Sequence, residues 1–251
     1  MIEVQYIRTS MLLLNWDGLR ILTDPWFAMQ MRGLPVFVKP CVRAEQLSPL
    51  DVVLVSHLHP DHFDRRALRK LSHPIKLLVG PPGMKDQCDR IVCQELATLA
   101  DGQSIEYEDL AIKAFSVAHS GYENAYLLRR GEMSLFFAGD ARYTEVFAEI
   151  GGKHQPLVSL LPVGGTEILG RRIVMNPDDA VQAAHDLQTK VMIPIHPGGE
   201  WMSVPPLSRH PGRAEAAAAQ AESTQAPFSV FPLAPGERVI VEANGKGRRP
   251  E

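Results

Sequence analysis

Residues 52–55 read Val-Val-Leu-Val, and the chain then runs at once into Ser56-His57-Leu58-His59-Pro60-Asp61-His62. A continuous apolar, largely β-branched run predicts a strand buried on both faces, so its sheet must be covered above and below. His57 and His59 lie two residues apart at the strand's end and can face the same way. The turn at Pro60 then carries Asp61 and His62 to another side of the same space, so one short segment can serve two metal ions. Such a pattern arises by chance in roughly one chain in a thousand of this composition, which makes it a specific signal. It still supplies only four ligands, and two ions with open positions need more.

The missing partners recur at the ends of three other apolar strands. His119 follows the run 114–117 and precedes Ser120-Gly121, Asp140 follows Leu135–Ala138 and Gly139, and His196 follows 191–195 and precedes Pro197-Gly198-Gly199. One polar residue capping a strand is ordinary. Four buried strands that each end in a metal-ligand type make a site.

The remaining pattern supports a layered fold. Strands are expected at 4–9, 11–15 and 19–23, the last two joined by the hairpin signal Asp17-Gly18. Further strands are expected at 75–79, 103–107, 110–117, 125–129, 134–138, 157–162, 191–195 and 237–242. Helices are expected over 63–71, capped by Asp61, over about 84–98, and from Asn176-Pro177-Asp178-Asp179, where cap, first-turn proline and acids coincide. Residues 28–46 read as a long loop made greasy by Met29, Met31, Leu34, Val36 and Phe37, either packed on the core or acting as a substrate lid. A strand-rich half closed by helices occurs twice, which predicts an α/β fold of two sheets between helices rather than a doubly wound parallel sheet. One domain is expected over 1–251, with an irregular segment at 203–227 before the final strand.

Composition narrows the function. Of 251 residues, 45% are hydrophobic and 22% charged, with a net charge of -3, so a nucleic-acid surface is not expected. No apolar run approaches the roughly 20 residues of a membrane span. The N-terminus MIEVQYIRTS lacks the basic n-region of a signal peptide, so a cytoplasmic protein is expected. Cys41, Cys88 and Cys93 have no CxxC spacing and read as inert thiols.

The order His57-x-His59-x-Asp61-His62, His119, Asp140, His196 resembles the metallo-β-lactamase fold superfamily over roughly residues 2–200. The resemblance implies a four-layer αββα sandwich. It places His57, His59 and His119 on one metal and Asp61, His62 and His196 on a second, with Asp140 bridging. Segments 22–26 (LTDPW), 80–83 (GPPG) and 175–181 (MNPDDAV) are similar to the branch that contains ascorbate-6-phosphate lactonase and N-acyl-phosphatidylethanolamine phospholipase D. Two positions depart from that branch. Its final histidine is commonly followed by Trp-Gly-Thr, here Pro197-Gly198-Gly199-Glu200-Trp201, and a histidine before the Asn-Pro run is Val174 here.

The implied activity is that of a binuclear metal-dependent hydrolase. Two divalent ions, zinc by preference and manganese or iron by similar chemistry, would activate a shared hydroxide toward a small ester, lactone or phosphodiester. Asp61 and Asp140 are the candidate catalytic acids, Asp61 as a guide for the nucleophile's proton. Asp24 is a candidate to orient a ligand histidine, Tyr143 to donate to an oxyanion or leaving group, and His210 to reach an anionic substrate. His73, His154 and His185 read as lying outside the site. The substrate is expected to be a small molecule, anionic or acylated: a lipid if residues 29–37 form an apolar wall, a phosphorylated sugar if Arg32, Arg142, Arg171 and Arg172 converge. Alternatives on the same fold are a nucleic-acid phosphodiesterase, an iron-dependent redox enzyme and a non-catalytic binding protein. Redox relatives commonly carry an acid at the position of His59, which weighs against that alternative.

Overall fold

Asp17 and Gly18 both adopt positive φ (48° and 89°), the backbone that a two-residue hairpin turn needs, and so Met11–Trp16 pairs antiparallel with Leu19–Thr23. That hairpin sits in the middle of an eight-stranded sheet. Its order is Gly247–Arg248, Arg238–Val241, Ile2–Arg8, Met11–Trp16, Leu19–Thr23, Val52–Leu54, Ile75–Gly80, Cys93–Thr98, and the last four strands are mutually parallel. A second sheet of seven strands runs Ser229–Val230, Val191–Ile195, Val158–Pro162, Met133–Phe137, Glu123–Arg130, Leu110–Val117, Ser104–Tyr107. These elements come from a computed structural model that describes residues 1–47 and 49–250.

The two sheets face each other across one apolar layer, with Val4, Leu14, Val52 and Leu77 on one side and Ile112, Leu128, Phe137 and Ile193 on the other, all fully buried. Behind the second sheet, helices Val146–His154, Pro177–Asp186 and Ala214–Ser223 close a second core around Phe136, Phe147 and Met192. Behind the first sheet, the cover over Leu22, Val53 and Leu78 includes only short helical turns at Ala44–Leu47, Arg65–Leu68 and Lys85–Gln87. The layering is the expected αββα sandwich, thin on one outer face. Among the described residues no helix is long and apolar enough to cross a membrane.

Three expected elements differ. The helix over 63–71 shrinks to Arg65–Leu68, and its cap is Asp64, which accepts from Ala67 N; Asp61 is thereby released from capping. The segment 84–98 holds a 3₁₀ turn and then an edge strand, Cys93–Thr98. Its half-exposed residues carry no alternation for a reader to detect. The stretch 203–227, expected to be irregular, contains the ten-residue helix Ala214–Ser223, whose alanines are strong helix formers and pack as Ala217 and Ala221 against the second core.

Topology positions the site. Met133–Phe137, Val158–Pro162 and Val191–Ile195 are parallel, and two antiparallel steps bring Leu110–Val117 into the same direction. The residues just past these strands therefore emerge at one edge of the sandwich, and there they meet the segment that follows Val52–Leu54.

Candidate metal centre

Backbone features place three of the candidate residues, Asp24, Asp140 and His196. Asp24 sits at φ 36° just past Leu19–Thr23, and its carboxylate accepts from Ser56 N and Ser56 Oγ, both at 2.7 Å, pinning the start of the histidine segment. Gly139, at φ 61°, leads into Asp140. A Cβ there would collide with the Glu123 carboxylate and come within 2.7 Å of Ser56 Cβ, so only glycine passes between the two sheets at this point. His196 takes φ 48°, and its N–H donates to Thr9 O at 2.7 Å, tying the end of the second sheet to the first.

The seven residues gather into two adjoining groups. In one, His57, His59 and His119 direct ring nitrogens at one another: His57 Nε2 lies 2.8 Å and His119 Nε2 3.5 Å from His59 Nδ1. Tetrahedral zinc with bonds of 2.0–2.1 Å separates its nitrogens by about 3.3 Å, so this spacing fits a shared cation. In the other group, Asp140 Oδ2 is 3.1 Å from Nε2 of both His62 and His196, with Asp61 Oδ2 at 3.6 and 4.0 Å from the same atoms. Asp61 Oδ1, Asp140 Oδ1 and the Nε2 atoms of His62 and His196 are buried without a hydrogen-bond partner. Buried polar atoms left unpaired are costly, and a cation bound among them would satisfy all four.

Charge makes the same demand. Asp24, Asp61 and Asp140 are all buried, and each faces histidine; no Lys or Arg pairs with any of them among the described residues. Burial first, and then the neighbouring imidazoles, hold His57 and His59 down at about 4, which leaves their lone pairs available at neutral pH. Burial opposes charge on His62 too, but the Asp140, Asp24 and Asp61 carboxylates overcome it and raise its pKa well above the usual value. Carboxylates that hold a proton this firmly would hold a divalent ion by the same attraction. Asp61 falls to about 2 and Asp140 lies well below the usual range, burial being outweighed in both by His62 and His196.

A layer of orienting residues surrounds the ligand set. Asp24 Oδ2 lies 2.6 Å from His62 Nδ1, as its candidate role requires. Glu123, which the sequence reading passed over, is fully buried. Its carboxylate faces His57 Nδ1 at 3.2 Å and His119 Nδ1 at 3.7 Å, and it accepts from Asp140 N at 2.5 Å. Burial pushes it up to about 8. A glutamate opening a strand four residues after a histidine is not distinctive, and its other two partners, His57 and Asp140, come from separate segments.

Glu200 was also passed over. It accepts from Tyr6 Oη at 2.7 Å and Thr9 Oγ1 at 2.5 Å, and its carbonyl receives Phe37 N at 2.7 Å. The neighbouring Trp201 packs edge-on to His196 and Trp26 and tilts against His210. The segment that departs from the branch pattern thus braces His196 and, through Phe37, residues 30–38. Fully buried Arg8 secures the base of that same loop by donating to Trp26 O, Ala28 O and Val38 O.

Both groups open into a cavity of about 930 Å³. His210 lines it, with Nδ1 3.1 Å from Thr166 Oγ1; burial and then His196 hold its pKa at about 4. Tyr143 does not line it. Its hydroxyl donates to Asp186 Oδ2 at 2.6 Å and its ring stacks on Phe147, so the packing role replaces the proposed oxyanion role. His73, His154 and His185 are outside both the cavity and the two groups. Residues 30–35 form a small hairpin, Gln30–Met31 with Leu34–Pro35, whose Met31, Arg32 and Leu34 wall the cavity. Arg171 joins them, whereas Arg142 does not line the cavity and Arg172 pairs with Asp179.

Residues 19–197 match the model of the beta-lactamase superfamily domain. An uncharacterised protein of Mycobacterium tuberculosis is 28% identical over 262 residues, covering 95% of this chain and 68% of its own. A protein named as a metal-dependent hydrolase in Methanopyrus kandleri is 28% identical over 233 residues, covering 88% and 92%. Among solved structures, Igni18, a metallo hydrolase of Ignicoccus hospitalis, superposes with a TM-score of 0.76 at 22% identity over 96% of this chain and 98% of that one.

Proposed function

The chain belongs to the beta-lactamase superfamily, and from that premise we propose that it is a single-domain binuclear metal-dependent hydrolase. In this reading His57, His59 and His119 would hold one divalent ion and Asp61, His62 and His196 a second, with Asp140 as a ligand shared by the two. The observation that carries it is the convergence of seven ligand-type side chains in two adjoining groups, with four buried polar atoms unsatisfied by the protein. Zinc suits the imidazole and carboxylate donors, and manganese or iron would fit the same set. The metal-dependent hydrolases among the relatives support the reading.

Two ions held there would supply Lewis-acid polarisation of the scissile bond and activation of water near neutral pH. The protein supplies the rest. Asp24 fixes His62, and Glu123 spans His57 and His119, so both imidazole sets are oriented before substrate arrives. Asp61, whose carboxylate lines the cavity, would orient the proton of an attacking water. His210, fixed by Thr166 at one ring nitrogen, presents the other to the oxygen that gains charge or leaves. The bond cleaved is that of an ester, lactone or phosphodiester. Segments 22–26, 80–83 and 175–181 favour the lactonase and phospholipase branch.

The test is hydrolysis of a panel containing an ester, a lactone and a bis-aryl phosphodiester by metal-loaded protein, beside the Asp140→Asn variant. Turnover of at least one class, lost together with bound metal in the variant, is expected. No turnover of any class, or undiminished turnover in Asp140→Asn, would overturn the assignment.

A further inference from the structure

The cavity is larger and greasier than a small polar ester needs. Its volume of about 930 Å³ stands at the upper end of the roughly 300–1,000 Å³ that accommodates drug-sized ligands. Its floor is polar, and its walls are mainly apolar, with Arg32, Thr166, Arg171, Ser208 and His210 set among the apolar side chains. The walls come from three separate segments: the 30–35 hairpin, the residues around Glu167–Ile168 and Arg171–Arg172, and the stretch 201–208. Together they contribute Leu34, Ile168, Leu169, Trp201, Met202 and Leu207.

Several of these side chains are exposed where a soluble protein would ordinarily hide them. Leu169 is 72% and Leu207 55% exposed, and Ile168 and Met202 adjoin them; Leu169 N donates to Leu207 O, so the two leucines share one lip. Adjacent exposed apolar residues around a cavity mouth mark a place where an apolar partner is received. Two cations, Arg32 and Arg171, line the same cavity, and neither side chain has an ion pair or hydrogen bond among the described residues. Arg172, next in sequence, is tied to Asp179.

We propose that the substrate, under the hydrolase reading on which this inference rests, is an amphiphile: an apolar chain or ring system seated against Leu34, Ile168, Trp201 and the Leu169–Leu207 lip, with an anionic group met by Arg32 and Arg171. The metal groups at the cavity floor then meet the bond that joins the two parts. Compact phosphorylated sugars fit poorly, because only two of the four candidate arginines reach the cavity and most of its wall offers nothing to hydroxyl groups.

Calorimetric binding of monoalkyl phosphates from ethyl to decyl, each below its micelle concentration, to metal-loaded protein tests this directly. A methylene fully withdrawn from water contributes about 0.8 kcal/mol, so affinity should rise about two- to fourfold per added methylene until the cavity fills. The double variant Leu169→Ser/Leu207→Ser should flatten that slope. Arg32→Gln/Arg171→Gln should weaken the whole series about tenfold without changing the slope. Ethyl and decyl phosphate binding alike, or arginine variants that bind the series as tightly as wild type, would overturn the proposal. Co-sedimentation with phosphatidylcholine and phosphatidylglycerol vesicles, abolished by the leucine variant, would identify a bilayer as the source of the amphiphile. Chain-length dependence without co-sedimentation would identify a dissolved one. Binding is read without turnover: a steep slope with no hydrolysis of the ester, lactone and phosphodiester panel defeats the hydrolase reading alone, and hydrolysis of that panel with a flat slope defeats this one alone.

Discussion

Replacing Asp24 by Asn should weaken the binding of one metal ion selectively while leaving the other in place. Oδ1 accepts from Ser56 N at 2.7 Å, and asparagine can keep that bond. Oδ2 lies 2.6 Å from His62 Nδ1 and accepts from Ser56 Oγ at 2.7 Å; an amide nitrogen in its place turns an acceptor into a donor. His62 must then present Nδ1 as an acceptor, which moves its proton to Nε2, the atom facing Asp140. The lone pair needed for coordination is lost. Such orienting partners are worth about 10–100-fold in metal affinity, or about 1.4–2.7 kcal/mol. Of His57, His59 and His119, only His57 is linked to the substituted atom, and only through Ser56 Oγ, so their ion should be held far more nearly as before. Competition against a chromophoric chelator would resolve the two binding steps. One step weakened by that factor and one unchanged is the expected result; two unchanged steps would refute the orienting role, and two steps weakened alike would refute the division of the ligands.

Further consequences follow from the same geometry. Glu200→Ala removes two short hydrogen bonds to a buried carboxylate and should destabilise the chain by about 3–5 kcal/mol in urea unfolding; a loss below about 1 kcal/mol would mean that Tyr6 and Thr9 find other partners. Gly139→Ala combines positive φ with a collision against Ser56 and should cost about 2–4 kcal/mol, visible as a lowered thermal midpoint, and an unchanged midpoint would contradict the close approach described there. Burial, with Cys93 nearby, pushes the Cys88 thiol up to about 11. At pH 8 its alkylation, followed by mass spectrometry, should therefore be on the order of a hundredfold slower than that of a free thiol, and equal rates would show the thiol to be accessible.

How much could be seen beforehand depended on whether the determinant was local. The strands ending in His57, Asp140 and His196 are legible because double-sided burial writes continuous apolar runs, and the strand before His119 because its buried residues alternate; the polar residue that ends each one stands out. The helix at Asn176 was legible because its capping box lies within four residues. The edge strand 93–98 departs from the helix its sequence suggests because an exposed edge imposes no alternation. Helix 214–223 was masked by the prolines flanking an alanine-rich stretch. Glu123 and Glu200 were invisible for a different reason: each acquires its role only when partners from distant segments are brought to it by the packing of two sheets.

The central claim is that two cations share this buried carboxylate and histidine set, and metal stoichiometry tests it most directly. Elemental analysis after loading and desalting should give two divalent ions per chain, falling to one in His119→Ala, where the second group is intact. One ion or none in the wild-type protein, or a stoichiometry unaffected by His119→Ala, would contradict the account.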